Sequence, residues 1–160
     1  MKKLICFLCI ITFLGCKSKK GVSETKNEPT KEIATLEKLS IPELETGQKN
    51  KAYELGKRVL MTCNTSRFKA FNSNEATESV IKNTTQDRLT KTCLKFKLRY
   101  GDFIDLKLME VYKNNDKKTI IYRYKALYEK KIANKELRVT VNEENKIAGI
   151  QSLDWVDLYK

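Results

Sequence analysis

Tyr100-Gly101-Asp102-Phe103-Ile104-Asp105-Leu106-Lys107-Leu108 is where the chain changes its period. Before it, apolar residues recur three and four apart. Within it they alternate, with Ile104, Leu106 and Leu108 on one side and Asp105 and Lys107 on the other. The alternation falters at Met109-Glu110-Val111, where a β-bulge restores the inward apolar set. Asn114-Asn115-Asp116 marks a turn. Ile120, Tyr122, Tyr124, Ala126 and Tyr128 then share one face of a second strand, against Ile121, Arg123, Lys125 and Leu127. Leu137, Val139 and Val141 alternate most cleanly, Glu144-Asn145 makes a further hairpin turn, and Lys146 to about Asp157 supplies the last strand. The second half of the chain therefore reads as a meander of four antiparallel strands.

Upstream the pattern is helical. Ala52, Leu55, Val59, Leu60 and Cys63 recur at spacings of three and four, and the pattern extends to Phe68 and Phe71 before Asn72-Ser73-Asn74 interrupts it. A short helix follows from about Glu75 to Lys82. Thr84 or Thr85 then caps another, with Leu89, Cys93, Leu94 and Leu98 on its buried face. No proline occurs after Pro42, which suits long uninterrupted elements. Helices first and a meander second give an α+β domain over residues 48–160, with N-terminal helices packed on a four-stranded antiparallel sheet.

The first residues obey other rules. Lys2 and Lys3 precede Leu4 to Gly15, a run without charge, and Cys16 is followed by Lys17-Ser18-Lys19-Lys20. A basic start, a short apolar core and a small residue before the cut are the marks of an export signal. Twelve residues of helix cover about 18 Å, short of the roughly 30 Å hydrocarbon core, so residues 1–15 read as a cleaved signal rather than a span. Phe13-Leu14-Gly15-Cys16 resembles the bacterial lipobox, with Phe13 where that family most often has Leu. The resemblance implies that Cys16 becomes the first mature residue and carries a diacylglycerol. Palmitate-type chains there would hold the protein on a bacterial cell membrane or outer membrane, its domain in the periplasm or at the cell surface. Two or more chains suffice for stable anchoring, at about 0.8 kcal/mol per buried methylene. Cys6 and Cys9 lie in the discarded core.

Residues 16–47 read as the lipidated cysteine and a flexible tether. The segment is near neutral, holds both prolines (Pro29 and Pro42) and has no aromatic residue. Within it, Ile33, Leu36 and Leu39 are spaced for one short helix. The charge lies beyond it: residues 51–160 hold 23 Lys and Arg against 14 Asp and Glu, a net +9 of the chain's +12. Arg88, Lys91, Lys95, Lys97 and Arg99 crowd one stretch; Arg123, Lys125, Lys130, Lys131, Lys135 and Arg138 crowd another. Such surfaces favour acidic partners, a partner protein or an acidic envelope ligand, over nucleic acid, for which no recognition motif appears.

The absence of His removes Ser-His-Asp and Cys-His nucleophile systems and His-ligated zinc. Cys63 and Cys93 sit on two predicted helices. In an exported chain they either bridge, closing a loop of about 30 residues, or remain two buried thiols. No metal set and no cofactor motif is read.

The order of long helix, short helices and four antiparallel strands resembles the cystatin-like and nuclear-transport-factor-2-like folds. Tyr100-Gly101-x-Phe103, and Leu137-x-Val139-x-Val141 followed by Lys146-Ile147-Ala148-Gly149-Ile150, are similar to a small bacterial domain family of unknown function. Members of these folds serve as ligand-binding cones, as dimerisation modules forming homodimers or, less often, as enzymes. The resemblance implies candidate pocket residues in Asp102, Asp105, Glu110, Tyr122, Tyr124 and Trp155, which otherwise read as strand charges and sheet packing. The expectation is a membrane-anchored, non-catalytic accessory or binding domain. The alternative is a small-molecule binder or weak enzyme using an aromatic and carboxylate pocket at Tyr122, Tyr124 and Trp155.

Overall fold

The computed structural model describes residues 36–159, all within the unit Ile33–Lys160. The export signal, Cys16 and the first part of the tether lie outside the described residues. Three helices, α1 (Thr46–Thr65), α2 (Glu78–Asn83) and α3 (Gln86–Tyr100), accompany five antiparallel strands: β1 (Leu36–Leu39), β2 (Phe103–Asn114), β3 (Thr119–Tyr128), β4 (Lys135–Asn142) and β5 (Ile147–Asp154). The strands lie in chain order across the sheet. This is an α+β fold with helices on one sheet face, but the sheet has five strands rather than the expected four.

The fifth strand comes from the supposed tether. Leu36 pairs with Asn114 and Leu39 with Val111, so Leu36–Leu39 is a strand and not the short helix its spacing indicated. Its hydrogen bonds are to a strand some 75 residues away, and Lys38 reaches the Glu110 carboxylate at 2.7 Å. Leu39, Ile41 and Leu44 pack against the core, with a 3-10 turn over Ile41–Glu43 between them. The folded unit thus begins before residue 48.

Strand β2 carries two irregularities. The register steps from Leu108↔Tyr124 to Glu110↔Arg123, leaving Met109 as the extra residue of the expected bulge. A second step, between Phe103↔Tyr128 and Asp105↔Leu127, was not expected. It turns Ile104 outward, 57% exposed, and places Phe103 in the core instead.

The helices end earlier, or start later, than their apolar patterns indicate. Ser66 takes left-handed backbone (φ 56°) and stops α1, so Phe68 and Phe71 pack edge-to-face from irregular chain. Residues 75–77 are not helical, because Ile147 at the edge of β5 exchanges backbone hydrogen bonds with Glu75 and Thr77. Thr85 caps α3, its hydroxyl accepting from the Arg88 amide. The inward stripe of α3 is Leu89, Cys93, Phe96 and Tyr100, spaced four, three and four. Leu94 lies one residue on from Cys93, about 100° round the helix, and Leu98 lies a further turn along, nearly opposite the inward stripe. They are 65% and 72% exposed rather than buried.

Cys63 of α1 and Cys93 of α3 form a disulfide, with Cα atoms 4.6 Å apart. At Gly101, which ends α3 with φ 79°, a Cβ would meet the Glu129 side chain. Gly56 matters for a different reason. It lets α1 settle onto β4, where a Cβ would stand 2.9 Å from Leu137 Cδ2 and 3.1 Å from Val139 Cγ2. Replacing an exposed helical glycine normally stabilises, by up to about 1 kcal/mol. Gly56→Val should do the reverse, lowering stability by about 2 kcal/mol in urea unfolding, because the added methyls overpack this contact.

Candidate functional site

Alternation in β3 sends Tyr122 and Tyr124 toward the helices. Both are buried, and their rings stand 6.4 Å apart. The Tyr122 hydroxyl donates to Gln48 Oε1 at 2.8 Å, and burial pushes its pKa up to about 12. The Tyr124 hydroxyl is closed off from solvent and has no hydrogen-bond partner among the described residues; burial pushes its pKa up as well. Tyr124 lines an open depression of about 220 Å³ together with Lys49, Asn50, Tyr53, Leu106 and Leu108.

Beside this depression Tyr53, Lys57 and Asp105 converge. The Tyr53 hydroxyl donates to Asp105 Oδ1 at 2.6 Å, and Lys57 Nζ donates to the same oxygen at 3.0 Å and to the Tyr53 oxygen at 2.9 Å. The Tyr53 hydrogen bond, then that of Lys57, holds the Asp105 carboxyl below its ordinary range. The same contacts, with Tyr53 first, raise Lys57. Asp105 and Lys57 are each pushed further into the charged form, so this pair stays ionised near neutral pH.

The rest of the expected pocket is not there. Trp155 lies on the other side of the sheet, its ring 4.5 Å from the Arg123 guanidinium, because Arg123 alternates with Tyr122 and Tyr124. Glu110 is on that side too. Asp102 sits at the end of α3, with Lys97 Nζ 3.0 Å from its Oδ1. Of the six candidates, only Tyr122, Tyr124 and Asp105 share one region.

On the opposite face, charges of alternating sign cross four strands: Lys38, Glu110, Arg123, Glu136 and Arg138. Arg123 donates from Nε to Glu136 Oε1 at 3.0 Å and from an Nη to Oε2 at 2.7 Å. Its other Nη reaches Glu110, and Arg138 Nε donates to Glu136 at 2.8 Å. Residues after β5 close over this row. The Val156 carbonyl accepts from Arg123 at 2.8 Å, and Tyr159 stacks on Tyr112 at 4.5 Å while lying over Arg123 and Arg138. Arg123 and Glu136 are both fully buried. Burial pulls the Glu136 carboxyl up, but hydrogen bonds from Arg123 and Arg138 outweigh it and hold the group below its ordinary 4.5. Hydrogen bonding to Glu136, then to Glu110, raises Arg123.

The second basic stretch is therefore not one solvated face. Arg123 is enclosed, Lys135 is buried against Asp154 at 2.8 Å, and Arg138 faces Glu136. Residues 91, 95, 97 and 99 of the first stretch do point outward. Among the described residues, no group of three or more His, Cys, Asp and Glu is placed to hold a metal. No known protein family, curated protein or solved structure matches the chain.

Two outcomes follow for these sites. Tyr124→Phe removes a hydroxyl with no partner, so it should leave stability unchanged or raise it by up to about 1 kcal/mol in thermal unfolding. Arg123→Met takes from buried Glu136 its bidentate partner, leaving Arg138 alone, and should cost about 3 kcal/mol near neutral pH. The Glu136 carboxyl is depressed in the folded wild type. Its contribution is present above the ordinary carboxylate range and is lost as pH falls through the folded value. The gap between Arg123→Met and wild type, measured by urea unfolding, should accordingly narrow below about pH 4.5, where the Glu136 carboxyl protonates.

Proposed function

We propose that this chain is a lipid-anchored bacterial cell-envelope protein whose folded unit is a non-catalytic accessory domain, binding a partner protein or an acidic envelope ligand. The observation that carries the reading is the Cys63–Cys93 disulfide, which ties α1 to α3 across 30 residues. Such a bridge belongs to an oxidising compartment. It therefore supports the export signal at residues 1–15, and with it the lipobox that ends at Cys16. The long α1 laid on an antiparallel meander supports a cystatin-like or nuclear-transport-factor-2-like fold, and such folds are commonly used for binding.

A second reading, a small-molecule binder, rests on one atom. The Tyr124 hydroxyl lacks a partner, and its ring borders the depression lined by Tyr53, Leu106 and Leu108. A ligand carbonyl or carboxylate would satisfy it only after the ring moves, since the hydroxyl itself is closed off from solvent. The depression is wide open and the Tyr53-Lys57-Asp105 cluster beside it is already satisfied, so the partner-binding reading has the stronger support.

Changing Cys16 to Ala and fractionating cells tests the anchor. The wild type should partition with membranes and label with palmitate, whereas Cys16→Ala should lose the label and become extractable by salt or carbonate. Retention of the variant in the membrane, processed at the same site, would sink the reading.

A further inference from the structure

The outer face of α3 carries two of the most exposed large aliphatic side chains of the described unit. Leu94 and Leu98, four residues apart on one helical face, are 65% and 72% exposed. Ile132, 69% exposed, sits in the β3–β4 loop, which is fastened to the last turn of α3. There the Lys130 amide donates to the Tyr100 carbonyl at 3.0 Å, and Lys130 Nζ donates to the Leu98 carbonyl at 3.0 Å. Shallow depressions adjoin Leu94, one of about 130 Å³ between α1 and α3 lined by Thr62, Ser66, Thr90 and Lys97 among others. Lys91, Lys95 and Arg99 flank Leu94 and Leu98 along one side of the helix, and they and Lys131 have no ion-pair partner among the described residues; Asp87, and Lys97 in its pair with Asp102, border Leu94 as well. Exposed aliphatic groups flanked by unpaired cations are costly to leave in water and mark an interaction surface.

Four classes of occupant can be weighed by sign, chemistry and position. A second copy would bring its own net +9 against this basic face. An anionic polysaccharide would answer the lysines but offer nothing to Leu94, Leu98 and Ile132. A lipid surface offers both. The partner segment is preferred because a lipid surface offers its charge in a plane, whereas Leu94 and Leu98 lie along one helical line; the chain enters the described unit at Leu36, which pairs with Asn114, whereas α3 ends beside Phe103. Those are opposite ends of β2, whose twelve residues span about 35 Å.

We infer that the face formed by α3 and the Lys130-Lys131-Ile132 loop docks an acidic, amphipathic segment of a partner protein, its apolar side chains packing on Leu94, Leu98 and Ile132. Its carboxylates pair with Lys91, Lys95, Arg99 and Lys131. This names the partner class within the reading above, and rests on it only for where the complex forms.

The test uses the chain from residue 16 with Cys16→Ser, the processed form without its lipid. The probes are a synthetic helix with Leu on one face and Glu on the other, its Lys-for-Glu counterpart, polyglutamate, and phosphatidylglycerol vesicles. Binding to the acidic helix is expected to exceed binding to the other three and to weaken with salt. Leu94→Ser with Leu98→Ser, and separately Lys91→Glu with Lys95→Glu, should each weaken it about tenfold or more. These positions are exposed, so unchanged circular dichroism and melting will show that each variant folds. Equal binding of polyglutamate would mean a merely electrostatic surface, and tighter binding of vesicles a lipid-facing one. Either outcome, self-association through Leu94, or an acidic-helix affinity indifferent to the leucine pair, overturns the inference. None of these readouts involves the lipid, so a failure of the Cys16→Ala fractionation would leave them untouched.

Discussion

Burial of β3 on both faces is the constraint from which the rest of the fold follows. On its inner side Tyr122, Tyr124 and Ala126 are closed by α1, and on its outer side Arg123 is enclosed as completely. A buried guanidinium is tolerable only when its charge is matched and its donors are used. Glu136 and Glu110 on the flanking strands supply the charge, and the Val156 carbonyl takes a further hydrogen bond. Three separate pieces of chain are thereby committed. Strand β1 is drawn in by the Lys38–Glu110 pair, β4 by Glu136, and the residues after β5 must cross the sheet to keep water from Arg123.

The same constraint explains which parts of the fold could be read from the sequence. Strands β3 to β5, the Met109 bulge and the Thr85 cap rest on local alternation and local hydrogen bonds, and they lie where the pattern puts them. Strand β1 does not. Leu36-Glu37-Lys38-Leu39 has no strand period, and only pairing with residues 111–114 makes it one. Ile104 misleads because a bulge at the start of β2 is decided by how Phe103 meets Tyr128. Leu94 and Leu98 mislead because Leu89 and Cys93 belong to two overlapping stripes, and Phe96 and Tyr100, which pack on Tyr128, take the inward one.

The candidate site was legible to a smaller degree. Tyr122 and Tyr124 face the helices as their alternation required, and Asp105 joins them through Tyr53, an α1 residue that no strand pattern could nominate. Trp155 was misplaced for a simple reason: it follows the last strand, where alternation no longer says which face a side chain takes. Its use as a cover for Arg123 depends on a guanidinium that looked, in the sequence, like one more surface charge.

That distinction divides the positive charge of the unit into two populations. Lys38, Lys57, Arg58, Arg123, Lys135 and Arg138 each face a carboxylate within 3.0 Å, and all but Arg138, whose partner Glu136 shares its strand, link separate parts of the fold. Their field is largely cancelled where it arises. The cations of α3 and the β3–β4 loop face few such partners, so their field is left uncancelled there. A charged surface alone would attract any polyanion; cations set beside exposed aliphatic side chains discriminate by shape and by hydrophobicity as well as by sign. The disulfide strengthens this by pinning α3 to α1 directly beneath Leu94, so that the face is presented on a helix whose ordering has already been completed by folding.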